Sequence, residues 1–141
     1  MSCIDNLSSE KEEYAEGFER LASPVLMESF EMPVYLVRMD HPDGEGWGQH
    51  VAAHVLYLRR LIQEGSLLAS GPLKGTPLRS GFLIMKGANR QEIDAMIAGD
   101  PFASEGLICD LRIEEWDPLF GCLSNHATGK LPQELKSLFP S

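Results

Sequence analysis

The chain has 141 residues, 43% hydrophobic and 23% charged, a balance typical of globular rather than disordered proteins, and its length favours one domain with a real core. With 21 acidic against 12 basic residues the formal net charge is −9, and no Lys/Arg cluster interrupts that background, which speaks against nucleic acid as a partner. No apolar run approaches the roughly 18 residues needed to cross a bilayer, the opening MSCIDNLSSEKEEYAEGFERL has neither a basic start nor an apolar signal core, and Cys3, Cys109 and Cys122 lack C-x-x-C spacing, so the expected location is a reducing cytoplasm.

Residues 1–32 read as a helical extension. Ser9 and Glu12 form a capping-box pattern, and Tyr14, Phe18 and Leu21 follow at helical spacing. Ser23-Pro24 stops that helix, and Val25 to Phe30 can form a second short one. The main domain is expected over residues 33–118. VYLVRM, at 34–39, is a dense run of strand formers, and DHPDGEG is a loop. A helix is predicted from about Trp47 to Glu64, ending at Gly65. SLLAS, at 66–70, predicts a short strand, GPLKGTPLRSG a loop, and FLIMK, at 82–86, a third strand. Asn89 with Glu92 opens a helix carried by Ile93, Met96 and Ile97 and closed by Gly99. The last strand, GLICDLRIEEW at 106–116, alternates, with Leu107, Cys109, Leu111 and Ile113 on one side and Ile108, Asp110, Arg112 and Glu114 on the other. Residues 119–141 form a tail with a weak helix that has Pro132 near its first turn.

This order, βαββαβ, is the split β-α-β pattern of an α+β, ferredoxin-like fold with an antiparallel sheet and its helices on one face. The other face would leave a large apolar patch in water, so a homodimer is expected.

His54 is the anomaly in the first helix. At about 100° per residue, Trp47, Leu58 and Leu61 fall within roughly 40° of it, and His50 lies one turn earlier on the same face. A buried imidazole needs partners for its ring nitrogens. Two readings follow: a core histidine donating to a backbone carbonyl, or a general acid/base at the edge of a cavity. The His50/His54 spacing also permits a divalent metal, but neither an H-E-x-x-H glutamate nor a third ligand accompanies it, so no metal is expected.

Two loops extend the chemical reading. In SGPL, Gly71 would let the backbone approach a ligand and Pro72 would stiffen the exit, with Ser70 at the wall. In AGDPF, Asp100 sits between a helix-ending glycine and a proline. It is either a turn former or a carboxylate aimed at a fixed target. A second candidate set comes from strand alternation. Asp110 and Arg112 share one face, which Arg38 can join, either as a clamp for a substrate carboxylate or as an ion pair across an interface.

Together, VYLVRM, HVLYLRRLIQEGSLLASGPL, AGDPF and a closing strand ending at Trp116 resemble the YCII-related (YciI-like) domain family. The resemblance covers roughly residues 33–118. It implies a ferredoxin-like fold pairing as a dimeric α+β barrel, with one functional histidine and one aspartate, which by position are His54 and Asp100. Relatives of that barrel include small isomerases and a dehydrochlorinase acting on ring compounds, which shuttle a proton without a cofactor. The resemblance therefore implies a cofactor-free lyase or isomerase for a small, cyclic or carboxylated metabolite, with His54 as proton-transfer residue, Asp100 as its partner and Ser70, Gly71, Pro72 and His50 around the substrate. The rival reading is a non-catalytic small-molecule-binding or assembly module. This chain departs from the compact family pattern in its N-terminal extension, its tail after Trp116 and a first loop carrying His41 and Asp43.

Overall fold

Val34–His41 forms β1 and Arg79–Lys86 forms β3, with Val37 pairing Leu83 and His41 pairing Arg79. A computed structural model describes residues 32–138. The helices expected from Ser9 and over Val25 to Phe30 lie outside the described residues. Around the β1–β3 pair, Leu67–Leu73 (β2) joins β3 and Asp110–Trp116 (β4) joins β1, all antiparallel, in the order β2-β3-β1-β4. That order, with helices Gly46–Gln63 (α1), Arg90–Ala98 (α2) and the short Pro101–Ser104 (α3) between the strands, is the ferredoxin-like arrangement.

Strand alternation divides the sheet into two faces. Tyr35, Val37, Met39, Leu83, Met85 and Ile113 pack against Leu61, Ile93 and Ile97 of the helices. Register places Arg38, Asp40, Ser80, Asp110 and Arg112 on the opposite face. The apolar stripe of α1 is narrower than its sequence suggests. Tyr57, Leu58 and Leu61 join the core, whereas Val55 is 46% and Ile62 49% exposed. These two residues mark the edge of the stripe, since both lie roughly 80–100° round the helix from His54.

The ends of the elements follow from local chemistry. α1 closes with Ser66 N–H donating to the Leu61 carbonyl and Gly65 N–H to that of Ile62, while Gly65 takes φ +80°. This is a glycine-terminated C-cap, which a side chain would strain. Asn89 caps α2 by accepting from Glu92 N–H at 2.9 Å. β2 runs three residues past the predicted end at Ser70, through Gly71 and Pro72, and β3 begins three residues before Phe82, so the loop shrinks to residues 74–78. Pro72 is tolerated because β2 is an edge strand, where a missing N–H costs no ladder bond. β4 starts only at Asp110, four residues later than the alternation implied.

Gly99 sets the approach of α1 to α2. A Cβ on it would stand 2.7 Å from the Tyr57 hydroxyl, which donates to the Met96 carbonyl at 2.7 Å. The backbone there is helical (φ −78°), so alanine is excluded by space rather than by conformation. Gly99→Ala is expected to cost about 1–3 kcal/mol by overpacking, measured as a lower urea midpoint at unchanged m.

On the other sheet face, Ser80 Oγ donates to Asp40 at 2.6 Å and Arg38 lies 3.3 Å away. The Ser80 hydrogen bond first, and Arg38 second, hold the Asp40 carboxyl below its ordinary range against the opposing effect of burial. A depressed folded-state pKa contributes stability above the unfolded value, about 4, and loses it as pH falls through the folded value. Ser80→Ala should therefore destabilise at pH 7, with the gap to wild type narrowing below about pH 4. Urea midpoints at pH 7 and pH 3 check this.

Residues Met32–Trp116 form one compact unit, and the described residues from Asp117 on belong to another. In the latter, the weak C-terminal helix predicted near Pro132 is a single 3-10 turn, Gln133–Leu135, preceded by a second at Ser124–His126. Pro132 removes one N–H at its start, and a helix this short is marginal without tertiary packing.

Candidate active site

Asp100 is the residue between the two shorter helices. Its backbone is extended (φ −71°, ψ 134°), and its carboxylate caps α3 by accepting the Phe102 N–H at 2.9 Å, with Pro101 in the first turn. The Asp-Pro pair thus works as a helix start. It fixes a carboxylate that is 3% exposed. His54, from the middle of α1, meets it: Nδ1 lies 2.9 Å from Oδ1 and 2.8 Å from Oδ2.

The pairing directs the ring. A carboxylate can only accept, so Nδ1 carries the hydrogen, and the neutral imidazole keeps its lone pair on Nε2. Nε2 has no hydrogen-bond partner among the described residues. The His54 side chain keeps 13% of its surface exposed, and no buried side-chain nitrogen or oxygen there lacks a partner. The free nitrogen therefore reaches solvent instead of sealed interior. Such a pair can take a proton at Nε2, and the carboxylate stabilises the imidazolium that forms.

Phe102 is the floor of this arrangement. It is 1% exposed, and its ring stacks on that of His54 with centroids 4.2 Å apart and planes 24° from parallel. His41 approaches the same ring at 4.6 Å and Trp47 at 6.3 Å. His41 is the last residue of β1 and is 3% exposed, with Nδ1 donating to the Leu107 carbonyl at 2.7 Å. The breakers that follow it place it in the first loop on sequence alone. Its phase with Val37 and Met39, two residues apart each time, was the signal that it faces the helices. Phe102, Trp47 and Arg79, whose guanidinium lies 3.7 Å over the Trp47 ring, were also not singled out, and no sequence pattern joins them.

The other candidates are placed differently. His50, one turn before His54, has a carboxylate neighbour of its own. Its Nε2 lies 3.8 Å from Glu105, and no group of three or more metal-ligating side chains exists among the described residues. Ser70 and Pro72 point to the helix side of the edge strand and Gly71 to the other. A side chain on Gly71 would meet no protein atom within 4 Å. Arg38, Asp110 and Arg112 share a face, but it is the one away from His54 and Asp100. There Arg38 pairs with Asp40 at 3.3 Å and Arg112 with Asp110 at 3.5 Å.

No curated protein matches the chain. Among solved structures, the 5-chloro-2-hydroxyhydroquinone dehydrochlorinase TftG of Burkholderia phenoliruptrix AC1100, in complex with 2,5-dihydroxybenzoquinone, is similar at 25% identity and TM-score 0.53, covering 60% of this chain and 93% of that one. A transcriptional regulator of Neisseria meningitidis with L-Met gives 17% identity and TM-score 0.47 over 84% of this chain and 66% of that one. A dimeric ferredoxin-like protein from Jannaschia sp. CCS1 gives 18% and 0.39 over 60% and 98%. The YCII-related domain matches residues 32–117, from the entry to β1 to just past the last residue of β4, and the chain belongs to the YCII-related domain family.

Proposed function

We propose that this protein is a lyase or isomerase that moves a proton on a small ring compound, with His54 Nε2 as the base and Asp100 as the residue that orients the ring and stabilises the imidazolium it becomes. The observation that carries the reading is the His54–Asp100 pair with its outer nitrogen open to solvent. In an elimination, Nε2 takes a proton from the substrate, the C–H electron pair becomes a new double bond, and the leaving group departs with its own pair. In an isomerisation the same imidazolium returns the proton to a different carbon. Neither route needs an electron acceptor, and the dyad supplies both the base and the acid. The similarity to a dehydrochlorinase seen with 2,5-dihydroxybenzoquinone favours ring substrates.

The same reading assigns the sheet face opposite the helices, with Leu36, Phe82 and Ile84 at its centre, to pairing with a second subunit. It assigns the protein to the cytoplasm, in keeping with the fact that no described helix is long and apolar enough to cross a membrane. The test is chloride release from 5-chloro-2-hydroxyhydroquinone and related halogenated ring compounds by the purified protein, with His54→Gln as control. Turnover lost in the variant supports the proposal. Turnover retained by a folded variant would rule out His54 as the base, and binding of these compounds with no turnover by the wild type would support the binding-module reading instead.

A further inference from the structure

Among the described residues Arg59 and Arg79 are the arginines without a carboxylate partner, and of these two Arg79 stacks on an aromatic ring. Arg38, Arg60, Arg90 and Arg112 each find a carboxylate within 3.5 Å. Arg79 finds the face of Trp47, with its guanidinium carbon 3.7 Å from the ring centroid, and no carboxylate lies within ion-pair distance among the described residues. The stack holds the guanidinium flat, and a guanidinium bound by its face keeps its N–H edge free. That edge matches the two oxygens of a carboxylate.

Its position ties it to the dyad. Arg79 opens β3 opposite His41 at the end of β1, and both point to the helix face. His41 and Trp47 approach the Phe102 ring on which His54 stacks. Arg79, Trp47, Phe102 and His54 therefore form one continuous run from an exposed cation to a solvent-facing imidazole nitrogen.

We propose that Arg79 is an anion-binding residue of this site, and that the ligand is a small ring compound carrying a carboxylate, held by the arginine edge while its ring is presented toward His54. The inference rests on the proton-transfer reading for the identity of the site, and it replaces Arg38 and Arg112 as carboxylate holders, since they face away and are already paired. Trp47 is a positioning residue: it orients the guanidinium without touching the acid group.

The experiment titrates the full-length protein with 2,5-dihydroxybenzoate and with its neutral methyl ester, a ring chosen to match the dihydroxyquinone of the similar dehydrochlorinase. Calorimetry reads Kd for wild type, Arg79→Gln and Arg79→Lys. Wild type should bind the acid at least tenfold more tightly than the ester. Arg79→Gln should lose that preference through weaker binding of the acid alone. Arg79→Lys, which keeps the charge but loses the fork and the stack, should recover only part of it. Arg79 is exposed, so thermal midpoints should stay at the wild-type value. Equal affinity of wild type and Arg79→Gln for the acid, no preference for acid over ester, or no binding of the acid by wild type would each overturn the proposal. The outcome separates from that of the catalytic reading. An unchanged chloride-release rate in His54→Gln defeats the reading while the Arg79 titration can still succeed, and a failed titration leaves the effect of His54→Gln on turnover untouched.

Discussion

His54→Gln is expected to lower turnover by about 10²–10⁴-fold, the range contributed by a positioned general base, while the protein stays folded. Glutamine can still offer an N–H to Asp100, which is 2% exposed and otherwise receives only the Phe102 N–H among the described residues. His54→Ala offers nothing in return. Leaving a buried carboxylate short of the N–H it accepts costs about 1–3 kcal/mol, and with Asp100 3% exposed the expected loss is at the upper end, about 3 kcal/mol. The contrast between the two variants separates chemistry from packing. Asp100→Asn should resemble His54→Gln in rate, since an amide nitrogen facing Nδ1 favours the tautomer with the hydrogen on Nε2, and a protonated Nε2 is no base. Steady-state rates with denaturation curves on the same samples decide it. A His54→Gln variant that unfolds as readily as His54→Ala would mark the residue as structural.

The largest effect on stability is expected at Phe102. Its side chain is 1% exposed and is the common neighbour of His54, His41 and Trp47. Phe102→Ala should cost about 3–5 kcal/mol, from lost burial and the cavity left behind, a large part of the 5–15 kcal/mol typical of a domain. Phe102→Leu keeps most of the volume and loses the ring contacts, each worth about 0.5–1.5 kcal/mol, so its loss should be about half as large or less. Rate should fall with stability in both variants, because the ring also sets the tilt of the His54 imidazole. Urea titrations followed by circular dichroism measure the first effect. A Phe102→Ala variant within 1 kcal/mol of wild type would show that the ring is not a structural floor.

How far the sequence reveals this arrangement depends on the range over which each signal acts. Elements with local chemistry were legible: the Asn89 cap with Glu92 and the Gly65 terminus of α1 correspond to observed features, and of the strand expected over 106–116 the part from Asp110 on is observed. Helical phase alone marked His54 as out of place. The meeting with Asp100, 46 positions away, came only through resemblance to the family, because no periodicity crosses from one helix to the start of another. Strand ends were less legible. Gly71 and Pro72 look like a loop, yet on an edge strand proline loses nothing, so β2 continues through both. His41 was hidden by the breakers beside it, DHPDG, although it closes the β1 alternation. Arg79 and Trp47 meet across a β-strand and a helix, and nothing short of the fold brings them together.

The most direct test is the ¹⁵N NMR spectrum of His54 in the resting protein at alkaline pH, where an imidazole is neutral. The shifts should report hydrogen on Nδ1 and a bare Nε2 in the wild type, and a mixed or reversed tautomer in Asp100→Asn. Hydrogen found on Nε2 of the wild-type ring would mean that the open nitrogen has no lone pair to give, and the proton-transfer account would not survive it.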